Sequence, residues 1–157
     1  MTRVGFMGRT KSLYNTIDLF RNRSDFEIAF IWTSKNEDYY GFEAERFEAL
    51  ASEINTPFHY GVKVEEFFEK AEADLVISVN FINIIPKTFI EKFSYGILNA
   101  HAGDLPKYRG NACPNWAILN GEDRIALTVH LMEAGLDVGP IILKKFLALN
   151  ILNLAYF

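Results

Sequence analysis

The chain has a single cysteine, Cys113. A lone thiol excludes a disulfide framework and a multi-cysteine zinc site. Positive charge is scarce as well: 16 Lys and Arg stand against 20 Asp and Glu, a formal net charge of −4. Without a basic excess there is no field to gather phosphates, so no nucleic-acid partner is expected. No apolar run approaches the roughly 18 residues of a membrane-spanning helix. The opening MTRVGFMGRT also lacks the apolar core of a secretory leader. These absences lead to the expectation of a cytoplasmic protein with no membrane association.

What the chain does have is core-forming material. Half of its 157 residues are hydrophobic and 23% are charged, the balance of one soluble globular domain spanning 1–157. Strand-like and helix-like segments alternate. Arg3–Gly8, Phe26–Thr33, Pro57–Tyr60, Asp74–Val79 and Tyr95–His101 read as strands, rich in β-branched and aromatic residues. Lys11–Arg21, Gly41–Ile54, Val64–Glu72, Pro86–Phe93 and Cys113–Leu119 read as helices, the first with Leu13, Ile17 and Phe20 on one face. Ile125–Met132 and Pro140–Phe146 complete the pattern as strands joined by a turn containing Gly135 and Gly139. The alternation predicts an α/β fold, a mainly parallel Rossmann-like sheet with helices on both faces. Ligands of such sheets lie beyond the carboxyl ends of the strands, which points to Gly8, Asn80 and His101.

Gly5-Phe-Met-Gly8 ends one strand and opens a helix, an arrangement that suits either an anion or an ordinary tight turn. The full dinucleotide pattern G-x-G-x-x-G is missing, and NAD is excluded on that ground. Asn99 and His101 form the stronger signal. Positions i and i+2 of a strand share a face, so the amide and the imidazole sit side by side. The amide can stabilise an oxyanion formed at a carbonyl, and the imidazole can take a proton from a nucleophile. Taken alone, the pair is a weak signal and reads sooner as a structurally satisfied histidine than as a catalytic one.

The surrounding residues extend the pattern. NAHAGDLPKYRGNACPNWAILNGE, followed by LTVHLMEAGLDVGPII, resembles the formyltransferases that use N10-formyltetrahydrofolate. The resemblance rests on Asn99 and His101, on Leu105, Pro106 and Gly110 of a Leu-Pro-x-x-x-Gly loop, and on Asp137 and Gly139 of an Asp-x-Gly turn. It is clear from Asp74 to Leu143. It implies a folate-dependent N-formyltransferase with Asn99, His101 and Asp137 as catalytic residues and no metal. It also implies N10-formyltetrahydrofolate as donor, held near Phe81, Ile84, Ile85 and Pro86, whose apolar side chains are equally ordinary core material.

The Tyr-Arg-Gly after Leu-Pro and the Asn-Trp before Ala-Ile-Leu look most like relatives acting on nucleotide-linked amino sugars, which serve surface polysaccharide (lipopolysaccharide) biosynthesis. That likeness makes a nucleotide-sugar the expected small-molecule substrate, with Arg9, Lys107 and Arg109 as candidates for its diphosphate. Alternatives are a glycinamide ribonucleotide or methionyl-tRNA type of formyltransferase, a formyltetrahydrofolate hydrolase, and a catalytically weak folate-binding domain. His130 matches a histidine often seen in the family, yet within LTVHLM it reads first as a packed residue. His59 has no partner motif, and the Glu65, Glu66, Glu69 and Glu72 cluster reads as a solvated face. Two features depart from the family. Ala126 stands where a glycine is usual, and the chain stops at Phe157 after an uncharged stretch, 146–157. That apolar tail is expected to pack on the core, to make a homodimer contact, or to mark a truncated C-terminus.

Overall fold

A computed structural model describes residues 1–34 and 42–149. The chain divides into two compact units, Met1–Leu98 and Asn99–Phe157. The first unit contains β1 (Thr2–Gly8), α1 (Thr10–Phe20), β2 (Phe26–Thr33), α2 (Ala44–Glu53), β3 (Phe58–Tyr60), α3 (Val64–Phe67), β4 (Leu75–Val79) and α4 (Lys87–Ile90). The division falls within β5 (Ile97–His101), after which come α5 (Cys113–Leu119), β6 (Arg124–Leu131) and β7 (Ile141–Ala148). The seven strands, mostly parallel and interspersed with helices, make the α/β Rossmann-like fold that the sequence predicts.

In the first unit the strand order is β3-β2-β1-β4. Parallel pairing sets Gly8 opposite both Thr33 and Val79, so three carboxyl ends finish level. The strands are apolar along their length because both faces are buried: Val4, Phe6, Met7, Ile31 and Val76 are all fully enclosed. Leu13 and Ile17, four positions apart on α1, are buried for the same reason. Phe67 anchors an aromatic cluster, its ring centroid 5.0 Å from Phe30, 4.5 Å from Trp32 and 6.4 Å from Phe89. Gly5 lies beneath the Phe30 ring, which leaves no space for a side chain there.

α1 and α5 have the lengths that the sequence predicts, whereas α2, α3 and α4 are shorter than expected. The segment expected as helix over Gly41–Ile54 is regular only over Ala44–Glu53, and Gly41 lies outside the described residues. Phe42 precedes that helix, yet it is buried, edge-on to Tyr14 and Phe47. Val64–Glu72 is one α-turn that tightens into a 3-10 turn at Phe68–Lys70. The tightening brings the chain to Asp74, whose N–H donates to the Arg3 carbonyl and whose carboxylate accepts the Arg3 N–H at 2.8 Å.

In the second unit the order is β5-β6-β7. β6 and β7 form an antiparallel hairpin running from the Arg124–Ala148 pair to the His130–Ile141 pair, with a register shift between Val129 and His130. Gly139 closes the hairpin turn at φ +121°, packed against the Leu131 carbonyl, where a side chain would be strained and obstructed. The apolar residues Ile141, Ile142, Leu143, Phe146 and Leu147 of β7 all stay about half exposed. Of the apolar tail, 146–149 is described, and 150–157 lies outside the described residues. Among the described residues, no helix is long and apolar enough to cross a membrane.

Candidate active site

β5 alternates buried and half-buried residues, and Ile97, Asn99 and His101 share the buried face. This is the period-two consequence of an extended backbone. Asn99 and His101 are only 7% and 8% exposed, which makes their polar partners decisive. Asn99 Nδ2 lies 3.2 Å from His130 Nε2, on β6. His101 Nε2 lies 2.8 Å from the Tyr108 carbonyl oxygen. A carbonyl can only accept, so Nε2 of His101 carries a proton and donates it. In the neutral ring Nδ1 therefore holds the lone pair.

Asp137 faces that lone pair. Its Oδ2 is 3.6 Å from His101 Nδ1, an ion-pair distance rather than a hydrogen bond. The same oxygen accepts the Gly110 N–H at 2.7 Å. Asp137 adopts φ +47°, a left-handed backbone that Asp tolerates better than most residues. A proton taken up at Nδ1 would place the imidazolium opposite this carboxylate. The geometry thus provides an amide beside an imidazole whose proton-accepting nitrogen looks toward an anion.

The loop after β5 holds this arrangement through its backbone. A Cβ at Gly103 would come within 2.6 Å of the Tyr108 carbonyl oxygen and overlap the His101 ring, so only glycine fits. Thr128, fully buried on β6, donates its hydroxyl to the Gly103 carbonyl at 2.6 Å. Lys144 of β7 donates to Asp104 Oδ1 at 2.6 Å and to the Leu105 carbonyl at 2.5 Å. Cys113 Sγ sits 3.5 Å from His101 Nε2 and donates to the Gly110 carbonyl at 3.3 Å. Burial, and next the charge of Asp137, push the Cys113 thiol up from its ordinary pKa.

Lys107 is exposed and paired with Glu122, which also accepts the Tyr108 hydroxyl at 2.8 Å. Donation from both holds the Glu122 carboxyl below its ordinary value. Arg109 is exposed on the same loop. Four candidates for the folate pocket belong to the first unit: Phe81 rests 4.7 Å from the Trp32 ring, Ile85 is buried, Pro86 is exposed and Ile84 is 88% exposed. Arg9, also in the first unit, is buried at the start of α1, its N–H donating to the Val79 carbonyl at 3.1 Å. Sequence reasoning read His130 first as packing, with a supporting role open, and considered the Tyr108 side chain only for substrate contact, not its carbonyl as the partner of His101. The signal for His130 was its family position. A backbone carbonyl such as that of Tyr108 leaves no signal in side-chain identity.

A family described as Formyl transferase matches residues 8–152. The chain belongs to the formyl transferase family. Among the curated relatives of this chain is the methionyl-tRNA formyltransferase of Trichlorobacter lovleyi, 34% identical over 150 residues covering 91% of this chain and 48% of that protein. The chain spans about half the length of the curated relatives it matches at that coverage. Solved structures of similar fold include phosphoribosylglycinamide formyltransferase from Anaplasma phagocytophilum, with TM-score 0.75, 23% identity, and coverage of 96% of this chain and 73% of that one. Another is WlaRD, a sugar 3N-formyl transferase crystallised with dTDP and 5-N-formyl-THF, with TM-score 0.72, 24% identity, and coverage of 96% and 53%.

Proposed function

We propose that this chain transfers a formyl group from N10-formyltetrahydrofolate to a primary amine, using Asn99, His101 and Asp137. The observation that carries the proposal is the set of three side chains itself, with Asp137 3.6 Å from His101 Nδ1 inside the span matched by the family. The amine lone pair attacks the formyl carbon, and the carbonyl oxygen becomes an oxyanion that the Asn99 amide stabilises by donation. The ammonium formed gives its proton to His101 Nδ1, facing Asp137. Collapse of the intermediate breaks the bond to N10 of the folate, and N10 recovers a proton from His101. Phe81, Ile84, Ile85 and Pro86 are assigned to the folate in this reading.

For the acceptor, the Tyr-Arg-Gly and Asn-Trp features of the loop support a nucleotide-linked amino sugar, with Arg9, Lys107 and Arg109 assigned to its diphosphate. A second reading, methionyl-tRNA, is favoured by the 34% identity to the Trichlorobacter lovleyi protein. The test is to incubate the purified chain with the donor and, separately, a dTDP-amino sugar, glycinamide ribonucleotide, methionyl-tRNA or no acceptor. Tetrahydrofolate release and the mass of the acceptor are then read. Formylation of one amine, abolished by His101→Ala and Asn99→Ala, is the expected result. Formate release without acceptor indicates a hydrolase, and no turnover with any of them by a folded chain overturns the proposal.

A further inference from the structure

His130 is the buried titratable group that the reaction above does not use. It is fully enclosed, so both ring nitrogens must find partners within the protein. Nδ1 lies 3.1 Å from the Leu131 carbonyl oxygen. That oxygen can only accept, so Nδ1 carries the hydrogen. The neutral ring then presents a lone pair at Nε2, and 3.2 Å away is Asn99 Nδ2. The lone pair can be met only by a donor, which dictates that the amide turns its nitrogen, not its oxygen, toward β6.

We infer that His130, fixed as the Nδ1–H tautomer by the Leu131 carbonyl, is the positioning residue that sets the orientation of the Asn99 amide. An Asn amide has two nearly isosteric orientations, and an unconstrained one samples both. His130 removes that choice. One N–H of Asn99 is committed to Nε2, and the second N–H and Oδ1 are thereby held in a fixed plane. The function of that plane rests on the formyl-transfer reading, but the tautomer does not. The register shift of β6 at Val129/His130 is where the hairpin departs from regular pairing, at the residue that must meet both Leu131 and Asn99.

The direct test is NMR of the full chain labelled with 15N-histidine, with the His130 resonances assigned by loss in His130→Gln. Two-bond proton–nitrogen correlations distinguish the tautomers. Nδ1–H with an unprotonated Nε2 is expected, and the commoner Nε2–H form overturns the inference whether or not any acceptor is formylated. The kinetic arm then reads the consequence. His130→Leu should lower kcat by about 10²-fold, the scale set by misplacing a catalytic group, with little change in the folate KM. His130→Gln, whose Oε1 can accept the same N–H, should recover most of that loss. Wild-type kcat in a folded His130→Leu, or no recovery in His130→Gln, would overturn the inference.

Discussion

Oδ2 of Asp137 accepts the Gly110 N–H at 2.7 Å while standing 3.6 Å from His101 Nδ1. One carboxylate oxygen thus ties down a loop and faces the imidazole. The two duties separate by substitution. Asp137→Asn keeps an oxygen for Gly110 and removes the charge, so thermal stability should stay near wild type while turnover falls by about 10²-fold or more. Asp137→Ala leaves the Gly110 N–H unmet and should also cost about 1–3 kcal/mol in urea denaturation. Equal stability losses in the two variants would contradict the loop-holding role.

Thr128→Val tests the support beneath the loop. The side chain keeps its shape and loses the donor to the Gly103 carbonyl, which is left with the Leu105 N–H at 3.1 Å. A loss of about 0.5–1.5 kcal/mol is expected, measured as a shift of the urea midpoint at constant slope. A variant as stable as wild type would show that the carbonyl finds another donor.

Gly103→Ala probes the space next to the imidazole. The new methyl would overlap the His101 ring, so either the ring or the Tyr108 carbonyl must move. Overpacking of this kind costs about 1–3 kcal/mol. The His101 ring NMR signals should shift and turnover should drop far more than stability does. Unchanged ring signals would place His101 differently.

Cys113 gives a pH-dependent readout. Thiolate is the reactive form, and burial together with Asp137 raises the pKa of this thiol. A raised pKa means less thiolate at any pH below it. Alkylation by iodoacetamide should therefore run slower in the native chain than in the urea-unfolded one near pH 8. The native rate should go on climbing at pH values where the unfolded rate has levelled. Because Sγ is 3.5 Å from His101 Nε2, alkylation and loss of turnover should advance together. Alkylated protein with full activity would remove Cys113 from the neighbourhood of the reaction.

Much of this was legible in the sequence because it is periodic. Alternation placed Asn99 and His101 on one face of β5, and the spacing of Leu13 and Ile17 marked the inner face of α1. Asp137 was found by its Asp-x-Gly setting, not by any contact rule. What could not be read depends on backbone atoms or on neighbours distant in the chain. The partner of His101 Nε2 is a carbonyl that any residue at 108 would supply. The pairing of Asn99 with His130 follows from β5 and β6 being neighbours in the strand order, and nothing local to either strand encodes it. The α3 segment was overextended because its Glu and Phe spacing suits a helix, while the need to reach Asp74 cuts it short.

Every side chain assigned here to bond making, from Asn99 to Asp137, comes from one uninterrupted stretch of the second unit. A reaction centre written in consecutive codons is inherited whole. Recombination or drift elsewhere in the gene leaves the centre intact. The loop residues proposed to recognise the acceptor, Lys107 to Gly110, lie between Asn99 and Asp137, so a change of amine within a lineage of such proteins should appear as substitutions interleaved with three unchanged positions.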